Sequence, residues 1–298
     1  MNTRIYHNAT ELKGFSIKNC PSMPPAGAVL MCEPKYYTVS EGRNPYMKAS
    51  IGKVDTRKAQ AQWEDLRDAF KELGCGVSFI EPVEGFEDMV FTAHTVFTGL
   101  SCQMDKICVL GQMRHPARRG EVAHFAKWFR RAGYRVIQLK DETLTFEGAG
   151  DCLWHPGKRL LWGGYGFRTD LEVYPEIAQA FEAPVIQLKL VNERFYHLST
   201  CFCPLTHEAV LVYPSAFAPE SLELILKLFP IVLAAEELEA AAKLPCSAAI
   251  VDSTVLLQKG AATARRQIKA IGLKTRETET SEFIKSGGSS HSLKMHLY

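Results

Sequence analysis

The stretch Cys152-Leu153-Trp154-His155-Pro156-Gly157-Lys158-Arg159-Leu160-Leu161-Trp162 holds two short apolar runs around a His-Pro-Gly-Lys turn. Proline and glycine inside a turn, with an apolar run on either side, read as a β-hairpin. Downstream, 171–181 has helical spacing and 184–190 is a short apolar strand. The local order is strand, strand, helix, strand. A parallel return strand needs a crossover, and a helix is its usual form.

The same order recurs on both sides of this stretch. Towards the N-terminus, 29–32 reads as a strand. The segment 55–74 reads as a helix with Trp63, Leu66, Phe70 and Leu73 on one face and Gly74 as its stop. A strand at 76–80 follows, then strands 90–100 and 107–110 across a polar turn. Next come a helix over 120–132, with Val122, Phe125 and Phe129 inward, and a strand at 134–139. Towards the C-terminus, 201–205 and 209–213 form a hairpin, 219–229 is a helix with proline in its first turn, and 231–233 is a strand. The last hairpin is 248–251 with 255–258, followed by a helix over 261–272. About five ββαβ units of roughly 60 residues result. No Pro/Ser-rich linker or compositional break divides them, so residues 1–298 read as one α/β domain.

Composition excludes several classes. The 298 residues are 46% hydrophobic and 23% charged, with a net charge of +2, so nothing in the bulk charge calls for nucleic acid or a membrane surface. Residues 1–14 lack the apolar centre of a signal peptide, and no uncharged apolar run approaches the ~18 residues that span a bilayer. Nine cysteines without CxxC spacing point to reduced thiols and a cytoplasmic location. Cys201 and Cys203 would share a face of a strand, which leaves a metal or redox role beside the simpler reading of two core thiols.

Three further segments carry the chemistry: Phe146-Glu147-Gly148-Ala149-Gly150-Asp151, Phe195-Tyr196-His197-Leu198-Ser199-Thr200-Cys201-Phe202, and the tail Ser286-Gly287-Gly288-Ser289-Ser290-His291-Ser292. Together they resemble the active-site segments of the guanidine-modifying enzymes, the amidinotransferase or pentein superfamily. The resemblance extends over Met31-Cys32-Glu33-Pro34, Asn44-Pro45-Tyr46-Met47, Asp88-Met89-Val90-Phe91-Thr92-Ala93-His94, Arg118-Arg119-Gly120-Glu121 and Gly166-Phe167-Arg168-Thr169. It leans to the dimethylargininase-like and arginine dihydrolase branch. It implies a pentein fold, with five ββαβ units in a pseudo-fivefold propeller and the site at its centre. It also implies covalent hydrolysis of an amidino C–N bond in a small guanidino or amidino molecule. No metal or organic cofactor is implied, and a homo-oligomer is left open.

The resemblance assigns roles residue by residue. His197 matches the catalytic histidine, a group near neutral pKa that protonates the leaving amine and then activates water. Glu147 matches the carboxylate that orients it. Asp151 matches an acid that supports the site or touches substrate, and Asp88 an acid that contacts substrate. Arg168 and Arg118 match arginines that hold an amino-acid carboxylate, a task suited to the planar guanidinium fork. For each, a structural histidine, solvated acid or surface arginine is the plain alternative.

Three positions depart from the family. Ser292 stands where the family carries its nucleophilic cysteine. His94 and Ser199 stand where many relatives carry groups that grip the guanidinium. A thiol can be drawn down to a thiolate beside a charged histidine, whereas a serine hydroxyl must lose its proton during attack. Ser292 is thus either an engineered replacement of cysteine or the natural residue of a slow, altered or non-catalytic protein. The rival classes are an amidinotransferase of the same fold, a ligand- or partner-binding protein without turnover, and a metal hydrolase built on His94, His197 and His291.

Overall fold

The computed structural model describes residues 3–298. Among the described residues the strands form five separate sheets. In each, an antiparallel pair is followed by a helical crossover to a parallel third strand. Cys152–Trp154 pairs antiparallel with Leu161–Tyr165, the helix Tyr174–Phe181 crosses over, and Val185–Lys189 returns parallel. Val96–Leu100, Lys106–Leu110 and Arg135–Ile137 repeat this around the helix Glu121–Arg131. Phe202–Pro204, Ala209–Val212 and Ile231–Ala234 do so around Pro219–Leu228. Ala249–Val251, Thr254–Gln258 and Lys274–Thr278 do so around Ala262–Ala270.

The remaining sheet joins distant parts of the chain. Ala28–Cys32 takes Gly76–Ile80 as its parallel neighbour after the helix Thr56–Glu72. Its antiparallel neighbour is Met295–Leu297, with Met295 opposite Leu30 and Leu297 opposite Ala28. That helix starts where Asp55 accepts a hydrogen bond from the Lys58 amide at 3.0 Å. It ends before Gly74, which takes a φ of 78°. Trp63, Leu66 and Phe70 are buried, while Leu73 caps the helix and is half-buried.

Two expected strands are corrected. The run 90–100 is a strand only over Val96–Leu100, because 92–94 is a single 3₁₀ turn. Its apolar residues are buried outside the sheet, Phe91 packing edge-on against Tyr37 and Phe283. In 201–205, Cys201 closes a helical turn, Leu198–Cys201, and the strand begins at Phe202. Cys201 and Cys203 therefore share no strand face. All nine cysteines are free, and the Cys201 thiol donates to the carbonyls of His197 and Leu198. Among the described residues no group of three or more His, Cys, Asp or Glu could hold a metal ion. No helix there is long and apolar enough to cross a membrane.

Candidate active site

His94, Glu147, Asp151, His197, Ser199 and Ser292 lie on or beside equivalent short turns, each leading into a strand of an antiparallel pair. Thr92–His94 precedes Val96–Leu100, Gly148–Gly150 precedes Cys152–Trp154, and Leu198–Cys201 precedes Phe202–Pro204. Ser247 precedes Ala249–Val251, and 286–292 precedes Met295–Leu297. These turns bond to one another. Ala93 N donates to Ser292 O at 3.3 Å, His291 N to Ser247 O at 2.9 Å, and His291 Nε2 to Ala149 O at 2.9 Å. Residues far apart in sequence are thereby gathered at one place.

His197 stands between two carboxylates. Its Nδ1 is 3.1 Å from Asp151 Oδ2 and its Nε2 is 3.3 Å from Glu147 Oε2. Only the first contact is a hydrogen bond. Nε2 is off the line to Glu147 and is unpartnered among the described residues. Asp151 is itself held by the Leu198 amide at 2.9 Å and the Thr169 hydroxyl at 2.7 Å. Burial disfavours a charged ring here, but Asp151 and then Glu147 outweigh it and hold His197 above the ordinary imidazole range. Burial would likewise raise Glu147. Arg168, 3.1 Å away, and His197 instead hold it well below the usual carboxylate range.

A narrow cleft gives access to this group. It is lined by Asp88, Phe91, His94, Arg118, Arg168 and His197, together with Arg43, Asn44, Met47, His115, Tyr196 and Ser286. It shares Arg43, Asp88 and Arg118 with a more open pocket of about 310 Å³. Arg168 lies over the Tyr196 ring, 4.6 Å from its centroid. Its Nη1 bonds Glu147 and its Nη2 bonds Arg43 O. Arg118 lines the same cleft and is buried. Its guanidinium bonds Glu121, the Asp88 carbonyl and His94 Nδ1. Asp88 Oδ2 takes Arg43 Nη2 at 2.8 Å, while Oδ1 is buried and unpartnered.

His94 sits against His197 with ring centroids 4.3 Å apart. Burial, His197 and Arg118 all push its pKa well down, so it is neutral. Arginine can only donate, so at 3.4 Å from Arg118 Nη1 the His94 Nδ1 is an acceptor and the ring proton lies on Nε2. Nε2 is buried without a partner, as is Ser199 Oγ.

Ser292 is fully buried and its hydroxyl faces Ser247 Oγ at 3.4 Å. Among the described residues it makes no hydrogen bond to His197. It adjoins the cleft wall: a Cβ built on Gly288 would meet Phe91 at 2.6 Å and Ser292 Cβ at 3.1 Å. Gly287 has a φ of 80°, and a Cβ there would fall 2.5 Å from Tyr196 OH, so the turn requires glycine. The Ser286 carbonyl accepts from Tyr196 OH and Asn44 Nδ2, which fixes this turn to the cleft. Behind it, Lys294 Nζ donates to His291 Nδ1 at 3.4 Å and is pushed down by burial to about 7.

Arg43 and Tyr196 escaped assignment from sequence. Tyr196 lay inside a quoted segment but carried no role there. Arg43 has no spacing signal, because its partners Glu41, Glu87 and Asp88 meet it only through folding. The Arg118–Glu121 pair has an i,i+3 spacing, a signal that went unread in the sequence.

A buried histidine thus stands between two carboxylates, beside an arginine-lined cleft, on an α/β fold. The family model of eukaryotic N,N-dimethylarginine dimethylhydrolase matches residues 33–227, and the chain belongs to that family. It is 38% identical over 271 residues to the bifunctional arginine dihydrolase/ornithine cyclodeaminase ArgZ of Synechocystis sp., covering 90% of this chain and 37% of ArgZ. It is 36% identical over 259 residues to the N(G),N(G)-dimethylarginine dimethylaminohydrolase of Mycobacterium tuberculosis, covering 87% and 82% of the two chains. The solved N-terminal domain of ArgZ covalently bonded to a reaction intermediate superposes with a TM-score of 0.86 at 37% identity, covering 91% of this chain and 97% of that one. The chain thus spans little more than a third of the length of ArgZ and of its Nostoc counterpart AgrE, at 37% of each.

Proposed function

We propose that residues 1–298 are a single pentein domain whose five ββαβ units surround one pseudo-fivefold axis, with a guanidine-modifying site at the centre. The reaction is hydrolysis of an amidino C–N bond in an arginine-like small molecule. With cysteine at position 292, the thiolate attacks the amidino carbon, His197 protonates the departing amine, and His197 then takes a proton from the water that releases the ureido product. Glu147 and Asp151 keep His197 charged for the first step. Arg168, with Arg43 beside it, holds the ligand carboxylate, and Ser199 lies beside the head group. The reaction calls for no metal or organic cofactor, and the protein is placed in the cytoplasm.

The observation that carries this reading is His197 held between Asp151 and Glu147 at the edge of a cleft that Arg168 also lines. A serine hydroxyl is a weak nucleophile before a poor electrophile, so the chain with Ser292 binds such ligands with little turnover. A binding protein without turnover is the second reading, favoured by the Ser292 hydroxyl facing Ser247. The test is assay of Ser292→Cys beside the unaltered chain for ammonia, amine and ureido products from arginine and N-methylated arginines. Turnover by the cysteine form alone supports the hydrolase. Failure of both forms, with binding retained, supports the binding protein.

A further inference from the structure

We infer that His94 selects a ligand head group that presents a hydrogen-bond-accepting carbonyl, a neutral ureido amino acid, over one that presents a guanidinium. This rests on the reading above, in which the cleft holds the ligand's head group. The ring has one free nitrogen, the buried Nε2. Its other nitrogen faces Arg118, which can only donate, so the free one carries the proton. A guanidinium offers only N–H donors and would set donor against donor. A ureido oxygen would accept from Nε2, and a ureido N–H would reach an acceptor such as the unpartnered Asp88 Oδ1 on the same cleft.

Three of the carboxylates around the cleft already have a partner of the protein: Glu121 is paired with Arg118, Glu147 with Arg168, and Asp151 with His197. His94 cannot free Nε2 as an acceptor by moving its proton to Nδ1, because that would aim an N–H at Arg118.

The test is calorimetric titration of the whole chain with citrulline and with arginine, repeated on His94→Asp. Citrulline is expected to bind the unaltered chain at least tenfold more tightly than arginine, and His94→Asp to bring the two within threefold or reverse them. Arginine binding as tightly as citrulline overturns the inference and leaves the guanidine-modifying reading standing. An unchanged ratio in His94→Asp overturns the role of His94. Binding of neither compound overturns the functional reading and this inference with it. Should the variant not fold, histidine ¹⁵N shifts of the unaltered chain decide: an Nε2–H tautomer at His94 is expected, and an Nδ1–H or charged ring overturns the inference.

Discussion

Asp151 grips His197 through Nδ1, on the ring edge away from Glu147, and is itself anchored by the Leu198 amide and the Thr169 hydroxyl. The hydrogen bond that orients the ring thus comes from Asp151. Glu147 contributes its charge at 3.3 Å without a hydrogen bond.

Asp151→Asn should therefore lower the pKa of His197 more than Thr169→Val, which removes only a support of Asp151. In a Ser292→Cys background it should cost about 10²–10⁴ in kcat. Imidazole ¹⁵N titration reads the first effect and product assay the second. A His197 that titrates unchanged in Asp151→Asn would refute the assignment.

His197 also makes stability depend on pH. Its pKa is raised above the ordinary 6.5 in the folded protein. Its contribution is then fully present below 6.5 and fades as pH rises through the folded value. Urea unfolding of the unaltered chain and of His197→Gln should show a stability gap that narrows from pH 6 towards alkaline pH. A gap that widens instead would mean that the ring is neutral when folded.

Lys294 behaves in the opposite sense. Burial takes it from the ordinary 10.5 to about 7, so folding expels its proton between those values and stability rises with pH across them. Lys294→Met should stabilise the protein at pH 6 by about 1–4 kcal/mol, in line with other replacements of buried charge by apolar volume. The gain should shrink by pH 10. Denaturant unfolding at the two pH values measures it, and equal effects at both would count against a buried titrating lysine.

Gly150 is the spacer between the two histidines. A Cβ there would lie 2.9 Å from His197 Nδ1 and 3.0 Å from His94 Cδ2. Gly150→Ala should displace the His197 ring from Asp151 and destabilise by roughly 1–3 kcal/mol. Thermal unfolding together with the His197 ¹⁵N shift tests this. Unaltered shifts would show that the ring has room to spare.

The hairpin around His155-Pro156-Gly157-Lys158 and the helix between Asp55 and Gly74 were legible because turn chemistry and apolar spacing agree there. Lys274–Thr278 was not. It is an outer parallel strand, largely half-exposed, and Lys-Thr-Arg-Glu-Thr has no apolar alternation to read. Ile5–Tyr6 and Met295–Leu297 are too short to announce themselves, and the helix Glu237–Lys243 also went unread. The run at 90–95 misled because its apolar residues wall the site instead of filling a sheet. Within the site, the motifs identified His197, Glu147 and Asp151 as a group. The direction of Ser292 towards Ser247, the locking of Arg118 by Glu121 and the presence of Arg43 depend on where separate turns meet, which spacing along one chain does not encode.

The pairing of Met295–Leu297 with Ala28–Cys32 sets an order on the birth of the molecule. During synthesis the strand Ala-Val-Leu-Met-Cys leaves the ribosome well before its antiparallel neighbour, which is made more than 250 residues later. Until then that strand offers an apolar, unpaired edge of the kind that invites intermolecular pairing. The closing strand follows Ser292 by only three positions, at Met295. The nascent chain therefore masks this edge and sets Ser292 beside the cleft wall in one late event, so a chain that stops short of this segment is left with an open strand and an unfinished cleft.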